Sequence, residues 1–196
     1  MRTLLLLLFM AGAPFWETKP PDQWSDDEIQ EILHTSPWAK TLTLETAVGN
    51  VPGIPMYLAT AKPVQDAEKE LRRRPGKRRL SEFAYDDEYA EFLKDNPDKY
   101  IVLAVALPDP RVLTDTKEYS RMEKECQLRI GREKFRLVGH FPPTPSDPYL
   151  RLIFPRAVRP DARILRFELY LPSVPAPYRN AEFEIKYLAF RGQPEM

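Results

Sequence analysis

The chain has 196 residues, of which 43 % are hydrophobic and 30 % charged, and its 29 basic and 29 acidic side chains cancel. That is enough apolar chain to build a core and too much for a disordered protein. Zero net charge removes any global field toward nucleic acid or an anionic membrane, so such binding would need a local patch. The 21 prolines are about twice the usual ~5 % and imply stiff loops and sheet edges.

Residues 1–13 read as a signal peptide: Arg2, an apolar run from Leu4 to Met10, then the small residues Ala11, Gly12 and Ala13. The other reading of this segment is a buried amino-terminal strand or helix. The run is far short of the ~20 residues that a membrane-spanning helix needs, and no later stretch supplies them. Export, to the periplasm or beyond, is therefore the expected localisation. Cys126 is the single cysteine, so an exported form has no internal disulfide and relies on its core.

Residues 14–196 read as one domain. In "QWSDDEIQEILHTSPWAK", Ser25 and Glu28 form a capping-box pattern, and Asp26, Asp27 and Glu28 suit the positive end of a helix dipole. Ile29, Ile32 and Leu33 make one apolar stripe. Pro37 ends the helix by about Thr35. Trp24 precedes the cap and Trp38 follows the stop. Trp24, Ser25, Glu28, Pro37 and Trp38 are thus expected to clamp a short helix onto a larger body, with Trp24 stapled near Ile29.

"AKTLTLET" alternates as a strand, "VGNVPGIP" reads as a turn and "MYLATA" as a second strand. "PVQDAEKELRRR" reads as a surface helix with the thin stripe Val64, Ala67 and Leu71. "DDEYAEFLKD" reads as a third helix. "YIVLAVAL" is a strand buried on both faces. From about Cys126 onward the pattern is β. "CQLRIG" and "KFRLVGH" flank a tight turn at Arg132-Glu133. "PYLRLIF", "RILRFELYL" and "AEFEIKYLAF" alternate, the last with Phe183, Ile185 and Tyr187 inward. The expected fold is mainly β: an antiparallel β-sandwich, immunoglobulin-like or similar, with two or three short helices in the amino-terminal half.

The Trp24-Ser25-Asp26 helix start, the Ser36-Pro37-Trp38-Ala39-Lys40 segment and the Phe154-Pro155-Arg156 triplet resemble segments of a group of uncharacterised exported bacterial proteins. The resemblance covers about 30 residues. It implies a shared fold and export, and no activity.

Few residues suggest catalysis. His34 and His140 lack metal spacing. The sharpest enzyme hypothesis pairs Cys126 with His140 as nucleophile and base, but strand alternation through the expected hairpin puts them on opposite faces. The acidic groups Asp26-Asp27-Glu28 and Asp86-Asp87-Glu88 sit at helix starts and lack a calcium-loop pattern. No cofactor, metal site or catalytic set is therefore expected. Arg72, Arg73, Arg74, Lys77, Arg78 and Arg79 concentrate positive charge and are candidates to bind an anionic partner, either an envelope polymer, a lipid headgroup or an acidic protein. No aromatic interleaves them for base stacking, which disfavours nucleic acid. Tyr149, Tyr170 and Tyr178 near Arg151, Arg156 and Arg179 form a second candidate interface. The reading is an exported, non-enzymatic binding or scaffolding protein. A hydrolase-like enzyme with a hidden site is the alternative.

Overall fold

The computed structural model describes residues 13–46, 49–74, 87–107, 116–144, 147–172, 174 and 176–196. The expected signal peptide through Gly12 and the part of the basic run that holds Lys77, Arg78 and Arg79 lie outside the described residues.

The described helices are α1 (Phe15–Thr18), α2 (Asp26–His34), α3 (Lys62–Arg73), α4 (Asp87–Asp95) and α5 (Thr116–Glu125). At the start of α2 the Glu28 amide donates to Ser25 Oγ over 3.1 Å, and the Ser25 amide donates to Glu28 Oε2 over 2.7 Å. This reciprocal pair satisfies two amides that a helix end leaves without partners. Five helices exceed the expected two or three. In α5 the only buried side chain is Met122, so the sequence carries no apolar stripe to announce it.

The strands are β1 (Ala39–Thr46), β2 (Gly49–Leu58), β3 (Tyr100–Ala106), β4 (Gln127–Ile130), β5 (Glu133–Arg136), β6 (Gly139–Phe141), β7 (Tyr149–Pro155), β8 (Ile164–Tyr170), β9 (Tyr178–Glu184), β10 (Ala189–Phe190) and β11 (Gln193–Pro194). They form a five-stranded sheet in the order β1-β2-β3-β7-β6, a four-stranded sheet in the order β5-β4-β8-β9, and the small pair β10-β11. Every pairing is antiparallel.

The two larger sheets pack face to face. Phe154 of β7 meets Phe167 of β8 edge-on, with ring centroids 5.3 Å apart, and Phe167 meets Phe183 of β9 at 5.9 Å. Leu150, Leu152, Leu165 and Leu128 share this interface and are fully buried. Period-two alternation then sends Arg151 and Ile153 to the opposite face of the five-stranded sheet. There α2, α3 and α4 form a second layer. Thus β3 is covered on both sides, and Ile101, Val102, Leu103, Ala104 and Val105 are all 0 % exposed.

Four details differ from the sequence reading. "VGNVPGIP" is not a loop, because β2 already pairs with β1 from Gly49. The β4–β5 turn falls at Gly131-Arg132, since Ile130 pairs with Glu133. Gly131 has φ +60°, a conformation that glycine adopts without steric penalty. "KFRLVGH" is not one strand: β5 belongs to the four-stranded sheet and β6 to the other, so the chain changes sheets at Leu137-Val138. Finally, β9 stops at Glu184 and a 3-10 turn follows. Tyr187 is therefore 58 % exposed instead of inward, while Tyr170 is buried.

Candidate functional site

Helical spacing places Val64, Ala67, Glu68 and Leu71 on one face of α3, and all four are buried. The stripe thus drives a glutamate into the layer between helices and sheet. A buried carboxylate needs a counter-charge. Arg151 provides it from the helix-facing side of β7: its Nη2 donates to Glu68 Oε1 over 2.9 Å, and its Nε donates to Asp147 Oδ2 over 2.7 Å. Tyr57 of β2 donates its hydroxyl to the same Glu68 oxygen over 2.6 Å. The Arg151 guanidinium also lies 4.3 Å from the Tyr89 ring centroid, within cation–π range. Glu68, Asp147 and Arg151 are 5 %, 5 % and 3 % exposed.

Above this cluster opens a cleft of about 230 Å³. Tyr57, Leu33 and Leu71 form its buried walls. Tyr149 stands against Tyr57 with ring centroids 4.9 Å apart. Gln30, His34 and Arg72 complete the rim. His34 Nε2 lies 3.1 Å from Gln30 Oε1.

Burial sets the protonation states. It raises Asp147 above its ordinary value despite the nearby Arg151. It pushes Tyr149 up to about 12 and, with help from Glu68, raises Tyr57 well above its ordinary value. Partial desolvation lowers His34. Burial opposes the charge on Arg151, but Glu68, Tyr89, Tyr57 and Asp147 together raise its pKa. At neutral pH the cleft therefore holds neutral phenols and a neutral imidazole over a charge-paired floor.

The expected anion site is distributed differently. Arg73 Nη2 pairs with Glu70 at 2.7 Å, and Arg74 Nη1 pairs with Asp26 at 3.0 Å. Arg74 also donates to the Trp24 carbonyl over 2.7 Å. Arg74 thus fastens α3 to the start of α2 and Arg73 stays on its own helix, whereas Arg72 reaches the cleft rim. Trp24 and Trp38 are 3 % and 0 % exposed. Phe15 packs edge-on against Trp24, and Trp16 against Trp38, at 5.9 and 5.7 Å. The aromatic grouping around the indoles thus includes two residues of α1. Pro37 is partly buried between the stop of α2 and Trp38.

Cys126 and His140 lie in separate surroundings. The thiol accepts from the Tyr170 amide over 3.3 Å, and burial pushes its pKa up to about 11. His140 stacks on Tyr119, with centroids 5.1 Å apart, and its Nδ1 is 3.6 Å from Glu123. The three tyrosines also separate. Tyr149 belongs to the cleft, whereas Tyr170 and Tyr178 bind Arg121 of α5 at 3.3 and 2.8 Å. Among the described residues no group of three or more His, Cys, Asp or Glu is arranged to hold a metal ion.

Comparison of the chain with protein-family models, curated proteins and solved structures finds no match. Function must therefore be argued from the cleft. Sequence reading missed Glu68, Asp147 and Arg151 as a group. Glu68 falls on the apolar stripe of α3 and Arg151 falls inside an apolar strand, and both were visible as charges in core positions. Asp147 carried no such signal.

Proposed function

We propose that this chain is an exported, non-enzymatic binding protein whose ligand is a small amphipathic anion of the cell envelope. The observation that supports it is the cleft itself. Two tyrosine rings and two leucines line it, its charges below are paired with one another, and a cation stands at the rim. Such a pocket favours an apolar body inside and an anionic end at Arg72. Lys77, Arg78 and Arg79 continue the positive charge beyond the described residues. The apolar run Leu4–Met10 and the resemblance to exported proteins support export. No helix among the described residues is long and apolar enough to cross a membrane.

Titration of the full mature chain with octanoate, octanol and octylamine tests this reading. Octanoate should bind best, and Arg72→Gln should weaken it roughly tenfold or more, the scale of one charge-assisted contact. Leu71→Trp should abolish binding while the protein stays folded. Equal binding of octylamine, or indifference to both substitutions, overturns the proposal.

A second reading follows from Asp147. A carboxyl raised by burial next to Glu68 has the makings of an acid–base pair in a hydrolase-like enzyme. Arg151 counts against it, because it engages both carboxylates, and each of these residues is only 5 % exposed. Loss of a hydrolytic activity in Asp147→Asn with its melting temperature retained would favour this reading over the first.

A further inference from the structure

A second site lies at the far end of the four-stranded sheet and does not depend on the cleft. Arg129 of β4 stands directly opposite Arg166 of β8, and on its other side directly opposite Lys134 of β5. All three alternate outward, since Leu128, Ile130, Leu165 and Phe167 take the inward positions. Like charges placed opposite each other on neighbouring strands destabilise a sheet. Three cations in one row cross three strands spaced ~4.8 Å apart.

The row borders a groove of about 570 Å³ lined by Arg129, Arg132, Arg159, Arg163 and Arg166, with Glu133 and Asp161 as its only acids among the described residues. Internal pairing offsets part of this charge. Arg129 pairs with Glu168 at 3.0 Å, Arg166 pairs with Glu182 at 2.6 Å, and Arg159 pairs with Glu133. Arg132, Arg163 and Lys134 enter no ion pair among the described residues. The groove has no aromatic side chain on which a base could stack. Its partly exposed apolar contribution includes Ile164, 37 % exposed.

We propose that this groove binds a soluble anion carrying several phosphate groups. The guanidinium fork matches phosphate oxygens in bidentate geometry. The cations repeat across strands over a distance longer than one phosphate, so a single ion meets only part of the row. Arg129 and Arg166 sit on paired strands and Arg132 on a tight hairpin, which orders their backbone before binding, while Arg159 and Arg163 lie in the connection between β7 and β8. The recess admits a chain of phosphates, whereas a flat bilayer touches only its rim. Bound anion also relieves the repulsion that the sheet carries alone.

Calorimetric titration of the full chain with inorganic tripolyphosphate, inorganic phosphate and vesicles rich in phosphatidylglycerol decides the matter. Tripolyphosphate should bind at least about a hundredfold more tightly than phosphate, and binding should weaken as salt rises. The double variant Arg132→Gln/Arg163→Gln should lose roughly tenfold or more in affinity. Its melting temperature should be unchanged or higher, because neither arginine holds an ion pair among the described residues. Arg72→Gln should leave this binding intact, which separates the groove from the cleft. The proposal is overturned by tripolyphosphate failing to bind, by binding to vesicles alone, or by a double variant that binds as the parent does.

Discussion

Trp38 donates its indole N–H to the main-chain carbonyl of Glu195 over 2.8 Å, joining positions 157 residues apart. The Glu195 carboxylate in turn accepts the Lys62 amide over 3.0 Å at the start of α3. The residue preceding α3 is Ala61, and it provides no side-chain cap. The last residues of the chain therefore close the end of the helix that carries Glu68 and Arg72. The indole anchors the arrangement.

Replacing Trp38 tests that anchor. Trp38→Ala should destabilise the fold by roughly 3–5 kcal/mol, the range for deleting a fully buried aromatic. Trp38→Phe keeps most of the apolar volume but leaves the Glu195 carbonyl without its donor, and should cost about 1 kcal/mol plus some packing. Urea unfolding of the three proteins measures both. Equal midpoints for wild type and Trp38→Ala would mean that the buried indole contributes nothing.

Arg151 neutralises two buried carboxylates. Arg151→Met should therefore destabilise by roughly 3–5 kcal/mol, because Glu68 and Asp147 are left charged in a dry site. Adding Glu68→Gln and Asp147→Asn to that variant should recover most of the loss, since the uncompensated charge is gone. If the triple variant is as unstable as Arg151→Met alone, volume and not charge governs the site.

Asp147 predicts a pH dependence of defined sign. Burial, its largest influence, raises its folded-state pKa above the ordinary 3.8. Between these two values the native state holds more protons than the unfolded state, so stability falls as pH rises. The destabilisation is complete above the folded pKa and relieved as pH drops through it. Glu28, Glu70, Glu125 and Glu168 are shifted downward and give the opposite slope. The difference between wild type and Asp147→Asn isolates the residue. Wild type should lose stability relative to the variant as pH rises from acid toward neutral, and parallel curves would contradict the assignment.

Cys126 should be chemically quiet in the native state. With its pKa near 11, only about one thiol in a thousand is ionised at pH 8, and the thiolate is the reacting form. Labelling by a disulfide reagent should therefore be slow natively and rapid in urea. Fast native labelling would place the thiol at the surface.

Much of the fold is legible in local pattern. Ser25 and Glu28 specify a helix start because both partners of the capping box lie within one turn. "YIVLAVAL" announces a doubly covered strand because every residue is apolar. The alternation in β7 and β8 assigns their inward faces. Where the pattern is weak, reading falters: α5 buries only Met122, and pairing with β1 captures Gly49 to Val51 although their composition suits a turn.

Neither candidate site could be assembled from the sequence. Glu68 and Arg151 are 83 residues apart and become partners over 2.9 Å only when α3 lies on the five-stranded sheet. Arg129 and Arg166 likewise come to face each other through the register of β4 on β8. Hydrophobic periodicity acts within one helix or strand, so neighbouring residues encode it. Charge pairing and charge crowding across elements depend on which faces meet and in which register. Those are set by packing of the whole chain, and only the tertiary structure decides them.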